Sequence, residues 1–386
     1  MSKADNRKNA DAHAHDAVSL VDDLLERAVQ AGVSDVHFEP TAKSMIVRFR
    51  LDGLLTDIEA LPKAMAENVV ARLKVLGHLL TYRSDIPQEG RIEMQDSTGR
   101  LVDRRLAVFP TIYGQRAVVR LFYDEPALAE LEHLGFSDAI LAAIQETAAA
   151  TQGVLLLTGP AGSGKSTTLA AILRHIVTRC GGRSVVTLED PVERRLDGVT
   201  QVQITQQGEL TFPTALRSLL RQDPQVLMIG EIRDAETARI AIEAALTGHL
   251  LMSTMHSGTP AGALLRLLEM GIEPYQVTSS ISVVINQRLV RRLCGDCKCE
   301  GDHGTFGPAG CEKCLQTGFR GRALITEMVR LDGDLRKAIL AKADLDELRA
   351  ILDARGHMTM LHDGQRLVAK GITTQEEVEK VCGPAR

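Results

Sequence analysis

No stretch of this 386-residue chain is apolar for long enough to cross a bilayer, and its first fifteen residues, Met1 to His15, lack the apolar core of a signal peptide. A membrane-embedded or exported chain is therefore not expected, and a cytoplasmic one is. Tryptophan is absent, and only four tyrosines and eight phenylalanines are present. Few rings remain on which bases could stack, and a formal net charge of -5 supplies no basic surface for a phosphate backbone. Nucleic acid is not an expected partner. Nor are the seven cysteines spread as a disulfide framework would need: Cys294, Cys297, Cys299, Cys311 and Cys314 crowd into one short segment. Without an export signal, that crowding favours a metal over disulfides. The remainder is ordinary for a globular protein, with 44% hydrophobic and 25% charged residues and a length that predicts about two to three domains.

The most informative stretch runs from Gly153 to Thr168. An apolar run predicts a strand, a glycine-rich segment predicts a loop, and Thr168-Leu-Ala-Ala-Ile-Leu173 continues as a helix. Between them lie Gly159, Pro160, Ala161, Gly162, Ser163, Gly164, Lys165, Ser166 and Thr167. The glycines let backbone N–H groups turn inward around a polyphosphate, Lys165 reaches the β and γ oxygens, and the Ser166 hydroxyl is suited to Mg²⁺. A glycine-rich turn arising by chance would lack the strand before it and the helix after it. ATP is the expected substrate.

Around this loop the pattern resolves as follows. Residues 1–15 are polar and aperiodic and are expected to be a disordered tail. Val18, Val21, Leu24, Leu25 and Ala28 recur at helical spacing, with Asp16 or Ser19 as the expected cap. A strand at 34–40 precedes the alternating run Met45 to Leu51, which ends in Asp52-Gly53, a hairpin signal. A helix over 63–80 and strands within 91–94 and 100–122 complete the first domain. After Gly153 the apolar strands Ser184 to Pro191, Gln225 to Asp234 and Leu250 to His256 alternate with helical segments. That order predicts an α/β fold with a mostly parallel sheet and its ligand at the carboxyl ends of the strands. Beyond Gly321 the chain reads as helical, with Thr374 and Glu377 forming a capping box.

Hydrolysis of ATP needs a carboxylate to orient water and cations against the γ-phosphate. Glu231 closes an apolar strand and is the expected water-orienting group, and Glu189 closes another. The usual second P-loop signature has an Asp before that Glu, but Gly230 stands there. His249 and His256 flank the third strand as possible γ-phosphate sensors, although a histidine at a strand end is more often structural. Arginines of the first domain could serve as fingers. Cys294-Gly-Asp-Cys297 and Cys311-Glu-Lys-Cys314, thirteen residues apart, have the spacing of a closed tetrahedral Zn²⁺ site, with Cys299 as a competing ligand. Cys180 and Cys382 read as small hydrophobes.

Taken together, these motifs resemble the secretion ATPases of type II secretion and type IV pilus assembly. The resemblance rests on Ser34-Asp-Val-His-Phe-Glu-Pro40, Val47-Arg-Phe-Arg-Leu-Asp-Gly53, Pro87-Gln-Glu-Gly-Arg91 and the loop at Gly159. It continues through Glu189-Asp-Pro-Val-Glu193, Arg221-Gln-Asp-Pro224, Gly230-Glu-Ile-Arg-Asp234, Thr247-Gly-His249, Ser253-Thr-Met-His256, Gln287-Arg-Leu-Val290 and Gly318-Phe-Arg-Gly-Arg322. It implies a homo-hexameric ring with a PAS-like α+β domain at 16–125, a linker at 126–136 and a RecA-like P-loop ATPase domain at 137–290. A tetracysteine zinc module at 291–321 and a C-terminal helical module at 322–386 would follow. By the same resemblance Glu231 is the catalytic glutamate, Glu189 belongs to an Asp box, His249 and His256 belong to a His box, and Arg105, Arg120, Arg217 and Arg233 surround phosphate. The implied partner is an inner-membrane platform protein, which would recruit the chain to the membrane, and the implied work is pseudopilus or pilus assembly. The cysteine module favours assembly over pilus-retraction ATPases. With about sixteen residues before the first helix, docking through the family's additional N-terminal domain is not expected. Ser257-Gly-Thr-Pro260 and Arg104 also depart from the family's pattern. A nucleotide-gated scaffold with little hydrolysis is the alternative from another class.

Overall fold

The computed structural model describes residues 3–95, 101–122, 130–204, 210–301 and 305–383. The chain divides into two compact units. One is Met1–Asp124 with Leu293–Cys299 and Gly307–Gly321, and the other is Glu125–Arg292 with Glu300–Phe306 and Arg322–Arg386.

The first unit contains α1 (Lys3–Gln30), β1 (Asp35–Pro40), β2 (Ser44–Leu51), β3 (Leu54–Pro62), α2 (Ala66–Leu76), β4 (Gln88–Gln95), β5 (Leu101–Thr111) and β6 (Gly114–Phe122). The strands form an antiparallel sheet in the order β3-β2-β1-β6-β5-β4. Alternation in β2 buries Met45, Val47, Phe49 and Leu51 and turns Arg48 and Arg50 outward. Asp52 and Gly53 both have positive φ, 50° and 90°, as a type I′ hairpin turn requires. Val21, Leu24, Leu25 and Ala28 of α1 join Val69 and Leu73 of α2 in the core of this unit. Two expectations are corrected here. α1 is described from Lys3, so Asp16 and Ser19 lie inside the helix instead of capping it. The second helix, expected to reach residue 80, stops at Leu76 before Gly77.

In the second unit lie α3 (Asp138–Ala149), β7 (Gly153–Thr158), α4 (Lys165–Arg179), β8 (Val185–Glu189), β9 (Thr200–Gln203), α5 (Phe212–Leu219), β10 (Val226–Ile229), α6 (Ala235–Leu246) and β11 (Leu250–Met255). They are followed by α7 (Pro260–Glu269), α8 (Pro274–Ser280), β12 (Ile281–Leu293), the short pair β13 (Cys299–Glu300) and β14 (Phe306–Gly307), and β15 (Phe319–Arg330). Helices α9 (Gly333–Leu340), α10 (Leu345–Asp353), α11 (Met360–Ala369) and α12 (Gln375–Cys382) close the chain. The sheet order is β15-β12-β7-β11-β10-β8-β9, with parallel pairing from β12 through β9. Val154 and Leu156 of β7 enter one apolar core with α6, α7 and α8, while Leu155 and Leu157 enter another with α3 and α4. A strand buried on both faces carries apolar residues without alternation, as the sequence of β7 does.

Two expected boundaries and one expected cap differ from the fold. Leu131, placed in the linker, is buried in the core shared by α3 and α4. The segment expected to be a helical module begins with β15, which pairs with β12 in the main sheet, and Leu335, Ile339, Leu348 and Leu352 join the core of α6 and α7. Thr374 does cap α12, but the Glu377 carboxylate is taken by Arg291 and Lys380 and completes no capping box.

Candidate nucleotide site and tetracysteine centre

Register fixes the site. Thr158 pairs with Met255 on one side and Asn286 on the other, so the loop after β7, His256 after β11 and Gln287 of β12 emerge together. Leu188 of β8 pairs with Ile229 of β10, which brings Glu189 beside Gly230 and Glu231 at the same sheet edge. The phosphate loop leaves β7 at Gly159, where a Cβ would lie 2.4 Å from the Gln287 carbonyl oxygen, so only glycine fits. Lys165 Nζ donates to the carbonyls of Gly159 (2.8 Å) and Pro160 (2.9 Å), lying folded across the loop interior. Ser166 and Thr167 follow in the first turn of α4, where unpaired helix N–H groups and the positive dipole end attract anions. Gly230 also has a steric reason: a Cβ there would stand 3.3 Å from the Leu188 carbonyl oxygen.

Glu231 accepts from Arg233 Nε (2.7 Å) on one oxygen and pairs with His256 Nε2 (2.9 Å) on the other. Glu189 accepts from Thr187 Oγ1 (2.6 Å) and Gln201 Nε2 (3.0 Å). Arg217 pairs with Glu236 in the first turn of α6, on the helix that follows the Glu231 loop. Burial pulls the Lys165 ammonium below its ordinary value of 10.5, and the Glu231 charge partly restores it. If Lys165 binds a nucleotide phosphate, its protonated form is the one that would hold it. ADP affinity should therefore be full at neutral pH and fall as pH rises, with onset below the ordinary lysine value, while Lys165→Arg should flatten that alkaline limb. Titration calorimetry across pH 7 to about 10 reads this out.

His249 lies apart from His256. Its carbonyl accepts from Gly153 N (3.2 Å) at the start of β7, and its ring nitrogen Nδ1 lies 2.9 Å from the Ala244 carbonyl oxygen. It sits at the amino end of β11, about 23 Å from His256 along a strand rising roughly 3.3 Å per residue. The structure does not bring it together with Glu231 and His256. Arg105 and Arg120 face each other across β5 and β6 in the first unit, and Arg120 Nε donates to Asp35 (2.9 Å). Asn286 and Gln287 are side chains to which sequence reasoning assigned no role. Their signal was a polar pair inside the apolar run of β12.

Cys294, Cys297, Cys311 and Cys314 place all four sulfurs within 4.8 Å of one another. The pairs 294–311, 297–314 and 311–314 are 3.9, 3.8 and 3.6 Å apart. Tetrahedral bonds of about 2.3 Å require sulfur separations near 3.8 Å, so the donor set fits a closed four-thiolate centre. Burial pushes the Cys314 thiol up, but N–H groups of Cys311 and Gly318, each 3.2 Å from its sulfur, outweigh this and bring it to about 7. Cys299 lies outside the cluster, its thiol directed to the Gly307 carbonyl at 3.5 Å, so it is not a competing ligand. Cys180 and Cys382 pack against apolar clusters, as expected.

The sequence profile described as type II/IV secretion system protein matches residues 11–380. The chain belongs to the type II/IV secretion system protein family. Among relatives of this family, type II secretion system protein HxcR of Pseudomonas aeruginosa is 40% identical over 95% of the chain and 78% of that protein. Type II secretion system protein E of Aeromonas hydrophila is 41% identical over 94% of the chain and 75% of that protein. The type IV pilus assembly ATPase PilB of Thermus thermophilus is 40% identical over 94% of the chain but only 42% of its own length. In fold, the chain is similar to the Legionella pneumophila ATPase DotB, with a TM-score of 0.72 at 24% identity over 95% of this chain and 96% of that one. No helix among the described residues is long and apolar enough to cross a membrane.

Proposed function

We propose that this chain hydrolyses ATP as a homo-hexameric motor that drives pseudopilus or type IV pilus-like assembly. The observation that carries the reading is Glu231, held between Arg233 and His256 at the same sheet edge as a phosphate loop. The loop N–H groups and Lys165 bind the β and γ phosphates, and Glu231 orients the attacking water. Arg233 and His256 hold that carboxylate and lie ready to turn toward charge developing on the γ-phosphate. Mg²⁺ held through Ser166 would supply neutralisation of the β and γ oxygens. In the same reading Arg105, Arg120 and Arg217 supply further cations, Glu189 orders the neighbouring strand end, and Zn²⁺ fills the tetracysteine centre in a structural role. The names of the relatives support a place in a secretion or pilus machine, and the resemblance to that family implies an inner-membrane platform protein as partner.

A nucleotide-gated scaffold with little hydrolysis has one observation in its favour: both oxygens of Glu231 are already occupied. ATP turnover measured against protein concentration, with light scattering on the same samples, separates the two. A motor with shared sites gains specific activity as hexamers form. Turnover that stays flat and residual in hexamers, and is not raised by the platform protein, supports the scaffold.

A further inference from the structure

Gln287 of β12 meets the phosphate loop at two points. Its side-chain nitrogen Nε2 donates to the Ser163 carbonyl (2.9 Å), and its own backbone carbonyl stands where a side chain at Gly159 would lie. The residue is fully buried, and its second amide atom, Oε1, has no partner. Ser163 Oγ, Thr158 Oγ1 and Asn286 Oδ1 are likewise buried without partners on the same strand ends and loop. Burying unpaired polar atoms is unfavourable, and an apolar floor would pack here without that cost. A polar side chain at this position therefore calls for a role beyond filling space.

That role follows from the planarity of the peptide group. In a trans peptide the C=O of one residue and the N–H of the next point in opposite directions, and the Ser163–Gly164 bond is trans. A donor that fixes the Ser163 carbonyl on one side thereby turns the Gly164 N–H to the other, toward the cradle. We infer that Gln287 is a positioning residue for the phosphate loop, orienting the Gly164 N–H toward a bound β-phosphate through its bond to Ser163. The strand that carries it is anchored immediately beyond: Arg288 donates to the Val381 carbonyl (2.5 Å), and Arg291 makes a two-pronged pair with Glu377 of α12 (2.7 and 2.6 Å). The side chain thus projects from a fixed register. This inference rests on the nucleotide reading above.

The test compares Gln287→Met, Gln287→Glu and Lys165→Ala with the unaltered protein, using ADP binding, ATP kinetics and thermal midpoints without nucleotide. Methionine matches the size of glutamine without its donor. In the Met variant, Kd for ADP and KM for ATP should both rise about tenfold, the worth of one hydrogen bond to a charged group, while kcat changes less than about threefold. In the Glu variant, ADP affinity should recover as pH falls, because a protonated acid can donate to the Ser163 carbonyl and a carboxylate cannot. A pure packing role would not produce that pH profile. A Met variant that binds ADP as the unaltered protein does, or that loses its fold, overturns the positioning role. If the unaltered protein does not bind ADP, or Lys165→Ala binds it equally well, the nucleotide reading itself fails.

Discussion

Glu231→Gln is expected to lower ATP turnover by about 10²- to 10⁴-fold, the range lost when a positioned general base or water-orienting group is removed. The amide keeps the size of the carboxylate and still accepts from Arg233 or His256 through its one oxygen, so the loop after β10 should hold its shape. ADP affinity should change by less than about threefold, because Glu231 makes no bond to the phosphate loop among those described. One electrostatic effect is separable. Glu231 raises the Lys165 ammonium against the burial that lowers it, so the Gln variant should lose ADP affinity at a lower alkaline pH than the unaltered protein. Steady-state turnover with ADP binding on the same samples checks this. Turnover kept within a few-fold of the unaltered protein would move the chemistry away from Glu231 and favour the scaffold.

Breaking the tetracysteine centre should have the second largest effect. Four cysteine sulfurs at tetrahedral separations leave no open position, so an ion held there would contribute folding free energy and no chemistry. Purified protein should carry about one zinc per chain by elemental analysis. Cys294→Ser or Cys314→Ser should reduce that content at least tenfold and lower the thermal midpoint by several degrees or more. Leu315 packs against the core of the first unit and the Gly321 N–H donates to Asp52 (2.7 Å), so the loss should spread into that unit. Hydrogen exchange over residues 44–62 would register it. Cys299→Ser should keep its zinc, because that sulfur lies outside the cluster. Full metal content in Cys294→Ser would overturn the assignment of the four ligands.

Local chemistry was legible in the residues themselves. The Asp52-Gly53 hairpin, the loop between β7 and α4 and the paired cysteine motifs are patterns in which spacing alone sets geometry, because each involves neighbours in the chain. The two histidines around β11 illustrate the limit. Both flank the same apolar run, and nothing local says which end of a strand meets the phosphate loop. Parallel pairing with β7 decides it, placing His256 against Glu231 and His249 at the other edge. The same non-local pairing drew β15 into the main sheet, where the sequence suggested a separate helical module. It also set Gln287 under Ser163, a contact between residues 124 positions apart. The sequence by itself determined the glycine-rich loop between a strand and a helix, the paired cysteine motifs and the family. Only the tertiary structure decided which charged and polar side chains share the site, because strand order and register depend on burying both faces of a sheet at once.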